Sequence, residues 1–183
     1  GGVANSGTLT LTNSTLSGNS SSAEGGGIYS SHGTITLINS TLYGNRAAQG
    51  GGILNGGYAV LYNTILTDSP SGGNCQGSIN DGGHNLEDAN TCGFDPTNDS
   101  MSNLDPLLGD LVDNGGPTLT HVLQYGSPAI DAADPAHCPE MDQRGVPRPL
   151  DGDGDEIAIC DIGSTEAPMV ILLDFYLPFV SNE

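Results

Sequence analysis

Three glycine-led segments within the first 66 residues repeat one another at a spacing that few folds permit. Gly1-Gly2-Val3, Gly25-Gly26-Gly27-Ile28 and Gly50-Gly51-Gly52-Ile53 set Val3, Ile28 and Ile53 at intervals of 25 residues. A second block follows each: Thr8-Leu9-Thr10-Leu11-Thr12-Asn13-Ser14-Thr15-Leu16, Thr34-Ile35-Thr36-Leu37-Ile38-Asn39-Ser40-Thr41-Leu42, and Ala59-Val60-Leu61-Tyr62-Asn63-Thr64-Ile65-Leu66. Ser17-Gly18-Asn19 and Tyr43-Gly44-Asn45 also match, with Thr67-Asp68 in their place in the third copy. A unit this short cannot bury an apolar face alone, so the copies must stack. Inside each unit the apolar alternation has period 2: Leu9 with Leu11, Ile35 with Leu37, and in the third copy either Val60 with Tyr62 or Ala59 with Leu61. That period belongs to strands, and the glycines and Asn tripeptides mark the corners between them. Three short strands per coil of about 25 residues describe a parallel β-helix, in which equivalent residues stack at about 4.8 Å. Asn13, Asn39 and Asn63 then form a ladder of corner residues chosen for turn chemistry rather than for a ligand.

The remainder of the chain has a different composition. Of 22 acidic and 3 basic residues, residues 1–66 hold only Glu24 and Arg46, so the net charge of −19 resides in residues 67–183. Residues 67–103, rich in Gly, Asn, Asp and Ser, read as irregular coils continuing the stack, which makes 1–103 the β-helix. Residues 104–166, punctuated by Pro and Gly, read as a loop-rich C-terminal cap, and residues 167–183 as an apolar C-terminal strand. A polyanion with three Arg and no Lys cannot neutralise a run of phosphates, which excludes nucleic acid and anionic membrane surfaces as partners. No apolar run reaches the roughly 20 residues of a membrane span. The longest, residues 169–180, holds Asp174 and Pro178. A start at Gly1-Gly2-Val3, with neither initiator Met nor signal peptide, leads us to expect a processed chain or a fragment.

The repeats Gly25-Gly26-Gly27-Ile28-Tyr29 through Asn39-Ser40-Thr41-Leu42-Tyr43-Gly44-Asn45 resemble those of bacterial surface β-helices akin to polymorphic outer-membrane proteins. Four later motifs come in order: Asp113-Asn114-Gly115-Gly116-Pro117-Thr118-Leu119-Thr120-His121, Gly126-Ser127-Pro128-Ala129-Ile130-Asp131, Cys138-Pro139-Glu140-Met141-Asp142-Gln143-Arg144-Gly145, and Cys160-Asp161-Ile162-Gly163-Ser164-Thr165-Glu166. This run is similar to the C-terminal portion of the choice-of-anchor Q extracellular proteins. The resemblance covers nearly all of residues 1–166 and implies a secreted or cell-surface right-handed β-helix. Relatives usually have more coils, and residues 167–183 extend beyond the closing Ile-Gly-x-x-Glu of the family.

Four Cys and no Cys-x-x-Cys argue for disulfides in an oxidising compartment rather than for zinc. Three connectivities are open; sequential pairing, Cys75 with Cys92 and Cys138 with Cys160, closes the shortest loops and fits the motif blocks. Each bridge contributes on the order of 3 kcal/mol. Asp151, Asp153 and Asp155 alternate with glycine, as in a loop that wraps calcium. Glu156 and Ile162 replace the Gly and the bidentate Glu of an EF-hand, so only a looser calcium site, or a solvated acidic turn, fits. Arg144 and Arg148 are expected to pair with nearby carboxylates. Catalysis is not expected: Lys is absent, the repeat strands carry no carboxylate, no Gly-x-Ser-x-Gly occurs, and His32, His84, His121 and His137 show no metal-ligand spacing. Asn13, Asn19, Asn39 and Asn98 head Asn-x-Ser/Thr sequons, which a glycosylating organism could use.

A β-helix end carries unpaired backbone groups, a template for another chain. At the start of the stack Val3, Leu9 and Leu11 lie open, with no charge before Glu24. At the other terminus Val170, Leu172, Phe175, Leu177 and Phe179 alternate or cluster as a strand would. Both features lead to the expectation of an extracellular structural protein, a homopolymer assembled head to tail by coil stacking, by C-terminal strand addition, or by both. The alternative is a monomeric cell-surface adhesin or module binding surface glycans; a polysaccharide-degrading enzyme ranks below both.

Overall fold

The computed structural model describes residues 1–168; Val170, Leu172, Phe175, Leu177 and Phe179, the expected C-terminal strand, lie outside the described residues. The chain winds through four coils of three strands. Coil 1 contains β1 (Val3–Asn5), β2 (Thr8–Thr12) and β3 (Thr15–Ser17), and coil 2 contains β4 (Ile28–Ser30), β5 (Thr34–Ile38) and β6 (Thr41–Tyr43). Coil 3 contains β7 (Ile53–Asn55), β8 (Tyr58–Tyr62) and β9 (Ile65–Thr67), and coil 4 contains β10 (Cys75–Gly77), β11 (Asn80–Asp81) and β12 (Leu86–Glu87). Equivalent strands pair in parallel into three sheets, ordered β1-β4-β7-β10, β2-β5-β8-β11 and β3-β6-β9-β12. The expected parallel β-helix is therefore present, and its register is the sequence repeat: Val3 opposite Ile28, Ile28 opposite Ile53, Ile53 opposite Cys75.

Stacking buries like on like. Ile35, Leu37, Ile28, Leu42, Ile53, Leu61 and Leu66 are at most 1% exposed and form one core. The alternative left open in the third copy resolves with Ala59 and Leu61 inward, because they face Ile35 and Leu37 across the ladder. Glycine at the first corner sets the coil spacing: a Cβ on Gly26 would lie 2.3 Å from the Gly51 carbonyl oxygen. No L side chain fits there without separating the coils.

The two ends of the stack differ. At the far end Phe94 and the Cys75–Cys92 bridge belong to the same core cluster, and Met101 pairs with Leu86. At the near end β1, β2 and β3 are each the edge of a sheet, and Val3, Leu9, Leu11 and Leu16 are only half-buried although their counterparts in coil 2 are fully buried.

Residues 104–166, read from the sequence as a C-terminal cap, run with Ala167 and Pro168 along the flank of the stack and touch all four coils. The reason is legible in the third sheet. Its outward positions read Thr15, Thr41, Ile65, Leu86 in register, so coils 3 and 4 present apolar side chains outward. Ile65 and Leu86 are fully buried against Leu123, Ala129, Ala133, Cys160, Ile162 and Ala167 of the flanking segment, a second core outside the coils. The segment folds back on itself through the antiparallel bridges Leu108–Leu123, Val112–Thr120, Met141–Pro147 and Leu150–Ile159, and through Cys138–Cys160. Both disulfides have the sequential pairing.

Candidate functional site

The chemistry-bearing side chains gather where the flanking segment meets the stack. The ladder residues Asn13, Asn39 and Asn63 have φ of 47°, 42° and 49°, the left-handed region that Asn tolerates because its amide bonds locally. That conformation turns each amide outward, and each donates to a flank carbonyl: Asn13 to Met141 (2.6 Å), Asn39 to Asp161 (3.0 Å) and Asn63 to Asp134 (3.1 Å). His84 holds the fourth rung at φ 52°, and its Nδ1 lies 2.8 Å from the Ala132 carbonyl. Hydroxyls of the third sheet do the same work. Thr15 donates to Gln143 Oε1 at 2.7 Å, Thr41 accepts the Ser164 N–H at 3.0 Å, and Ser17 bonds His121 Nε2 at 2.9 Å. His121 packs on Tyr43, and His137 stacks on Tyr62 with ring centroids 3.9 Å apart. The Ser17–His121 pair, with His121 Nδ1 held 2.7 Å from the Gly109 carbonyl, is one rung of this seam.

Behind the seam lies an ionic knot built from two of the late sequence motifs and the nearby Arg148. Arg148 and Glu166 pair at 2.8 Å with both side chains fully buried, and Arg148 also donates to the carbonyls of Asp161 and Gly163. Its Nε has no partner among the described residues. Arg144 pairs with Asp142 at 2.7 Å, so both expected arginine–carboxylate pairs are present. Burial would raise the Asp142 pKa, but N–H donors from Glu166 and Val146 and the Arg144 guanidinium hold it below the usual carboxylate range. Burial raises Glu166 despite Arg148, and lowers Arg148 despite Glu166. Asp161 accepts the N–H groups of Ala167 and Asp131, yet burial and the neighbouring Glu166 push its pKa up to about 7.

The acidic loop is organised differently from its expected form. Asp131, Asp151 and Asp153 each place a carboxylate oxygen within 4.8 Å of the others. Asp155 is not in that group; its carboxylate caps the Ile157 N–H at 2.8 Å. Asp131 comes from a motif 20 residues upstream of Asp151, which no local pattern could reveal. Its carboxylate receives the N–H groups of Gly152, Asp153 and Ile159, and burial, partly offset by those bonds, raises its pKa. The three residues that could hold a cation therefore already bind the loop backbone.

Asp81 and Glu87 are carboxylates on coil-4 strands that the weak repeat there conceals. Glu87 is fully buried and receives the N–H groups of Thr91 and Cys92, and Asp81 receives those of Gly83 and Asp95. Both hold turns around the Cys75–Cys92 bridge. A cavity of about 610 Å³ opens beside Cys138–Cys160, with mainly apolar walls that include Ala132, Ala133, Pro135 and Ile159.

The sequons are unequal. Asn39 is fully buried with its amide nitrogen donated to Asp161, so the folded chain has no room for a glycan there. Asn13 is likewise tied to Met141, and Asn19 donates to Asn45 Oδ1 at 3.0 Å. Asn98 is exposed, in the single turn of 3-10 helix Pro96–Asn98.

Fold and site together define a disulfide-braced parallel β-solenoid with a flanking segment locked along one sheet. No protein-family model, curated protein or solved structure matches the chain. Among the described residues no helix is long and apolar enough to cross a membrane.

Proposed function

We propose that the chain is a structural β-helix of the cell exterior, and that it joins further β-helical structure through its coil-1 face, copies so joined making a fibre. One observation carries this reading: among the described residues β1, β2 and β3 are the edge strands of the three sheets, over core positions Val3, Leu9, Leu11 and Leu16 that are half-buried. Leu111 and Leu119 of the flanking segment, 38% and 50% exposed, extend the apolar surface beside Val3 and Leu16. Coil 1 carries a single charged side chain, Glu24, in a chain of net charge −19, so this face is where two copies approach with least repulsion. Two disulfides and the resemblance to choice-of-anchor Q proteins support the extracellular setting. The carboxylates, arginines and histidines of the seam bond to the fold itself, which supports a structural over a catalytic role. Calcium belongs to the reading as an ion that would tie the loop at Asp151 and Asp153 to Asp131. Negative-stain electron microscopy of the purified chain tests the proposal: end-to-end particles are expected, and isolated particles at every concentration would overturn it.

A further inference from the structure

Residues 131–135, 138–140, 148–149 and 158–160 of the flanking segment, together with His84 of coil 4, surround the cavity of about 610 Å³ beside Cys138–Cys160. These walls are fastened crosswise. The disulfide joins Cys138 to Cys160, the Ala133 N–H donates to the Cys160 carbonyl at 2.9 Å, and the Arg148 N–H donates to the Glu140 carbonyl at 3.0 Å. His84 Nδ1 lies 2.8 Å from the Ala132 carbonyl. Walls tied in this way do not fold inward to fill the space, so the cavity is preformed, and its volume is that of a small-molecule site.

The walls offer an apolar surface and a negative charge. Ala132, Ala133, Pro135, Pro139, Pro149 and Ile159 supply the first. Asp131 and Glu140 supply the second, and Asp151 and Asp153 each bring a carboxylate oxygen to within 4.8 Å of Asp131. Glu140 is exposed, and its carboxylate is in no ion pair among the described residues. Arg148 also contributes to the wall, but its side chain is 0% exposed and its charge is met by Glu166 at 2.8 Å. Its unpartnered Nε is buried with the rest of the side chain, out of reach of an anion entering from solvent. Such an anion would also approach against the net charge of −19.

We propose that this cavity binds a small organic amine, with its apolar body against the proline and alanine walls and its ammonium beside Glu140 and Asp131. Burial of the body supplies the affinity, and the carboxylates select the sign of the charge. The proposal is independent of the coil-1 face and adds a ligand site to a chain otherwise read as structural.

Phenethylamine is the probe, and 3-phenylpropionate, with the same ring and the opposite charge, is its counterpart. Titration of each into the full chain in the presence of chelator, followed by amide NMR, reads site and affinity together. Phenethylamine is expected to shift the amides of Ala132, Ala133, Ala158 and Ile159, and 3-phenylpropionate to bind about tenfold more weakly or not at all. Glu140→Gln, at an exposed position, should weaken the amine about threefold to fivefold with the melting temperature unchanged. Ala158→Phe, which sets a ring in the cavity from an exposed wall position, should abolish the shifts, and its melting temperature checks that it is folded. The proposal is overturned if phenethylamine shifts none of these amides, if 3-phenylpropionate binds as tightly, or if either folded variant binds the amine as the native chain does.

Discussion

Asn63 and Asp134 hold one another through two hydrogen bonds: the Asn63 amide donates to the Asp134 carbonyl at 3.1 Å, and the Asp134 N–H donates to Asn63 Oδ1 at 2.8 Å. The side chain of a corner residue thus pairs with a peptide group as a neighbouring strand would. Asn39 adds a carbonyl contact from Asp161 and accepts the Asn63 amide at 3.2 Å. The ladder that a repeat reading assigns to turn chemistry is also the rail on which the flanking segment is mounted.

Replacing Asn39 separates the two roles. Asn39→Ala forfeits the left-handed preference and removes one of the two donors to the buried Asp161 carbonyl, Arg148 being the other, a loss of about 2–3 kcal/mol. Asn39→Gly keeps the conformation and loses only the bonds, so it should cost less. Urea unfolding of both variants checks the order; equal losses would show that the backbone conformation contributes nothing.

Arg148 and Glu166 are buried together, so removing one strands the other. Arg148→Met is expected to cost about 3–5 kcal/mol, and the double variant with Glu166→Met less than the sum of the single changes. A double-mutant cycle by chemical denaturation measures the coupling. Additive losses would mean that the pair does not interact in solution.

Asp161 makes stability depend on pH in a direction opposite to ordinary acid denaturation. Its pKa is raised in the folded chain to about 7, so its contribution is complete below the unfolded carboxylate value near 4 and is lost as pH rises through 7. Raised values at Glu166 and Asp131 act in the same sense, while the lowered values at Asp142 and Asp134 act below the ordinary carboxylate range. Melting temperature should therefore fall between pH 5 and pH 8, and Asp161→Asn should flatten that slope. A rise over the same interval would contradict the assignment.

Calcium, if it stabilises the chain, should do so through Asp131. Addition of calcium to chelated protein is expected to raise the melting temperature, Asp131→Asn to abolish the rise, and Asp155→Asn to leave it intact. An unchanged melting temperature on chelation would leave the loop as an acidic turn held by its own N–H groups.

The coils were legible because each obeys one local rule, glycine at a corner and period 2 between corners, and because three copies agree. Coil 4 was less so: Asn74, Asp81 and Glu87 break the pattern, and their carboxylates and amides hold turns instead of packing a core. The path of residues 104–168 was not legible. Its cues are Ile65 and Leu86, outward-facing positions that turn apolar where Thr15 and Thr41 stood, and their meaning depends on the register between coils. Asp131 joins Asp151 and Asp153 for the same reason, through a fold-back that no spacing announces.

Sedimentation velocity over a hundredfold range of concentration is the most direct test of the coil-1 face as a joining surface. The chain should sediment as species larger than one copy whose proportion grows with concentration, and Leu9→Asp with Leu11→Asp should return it to monomer. A native chain that remains monomeric throughout, or an association that survives both substitutions, would contradict the account.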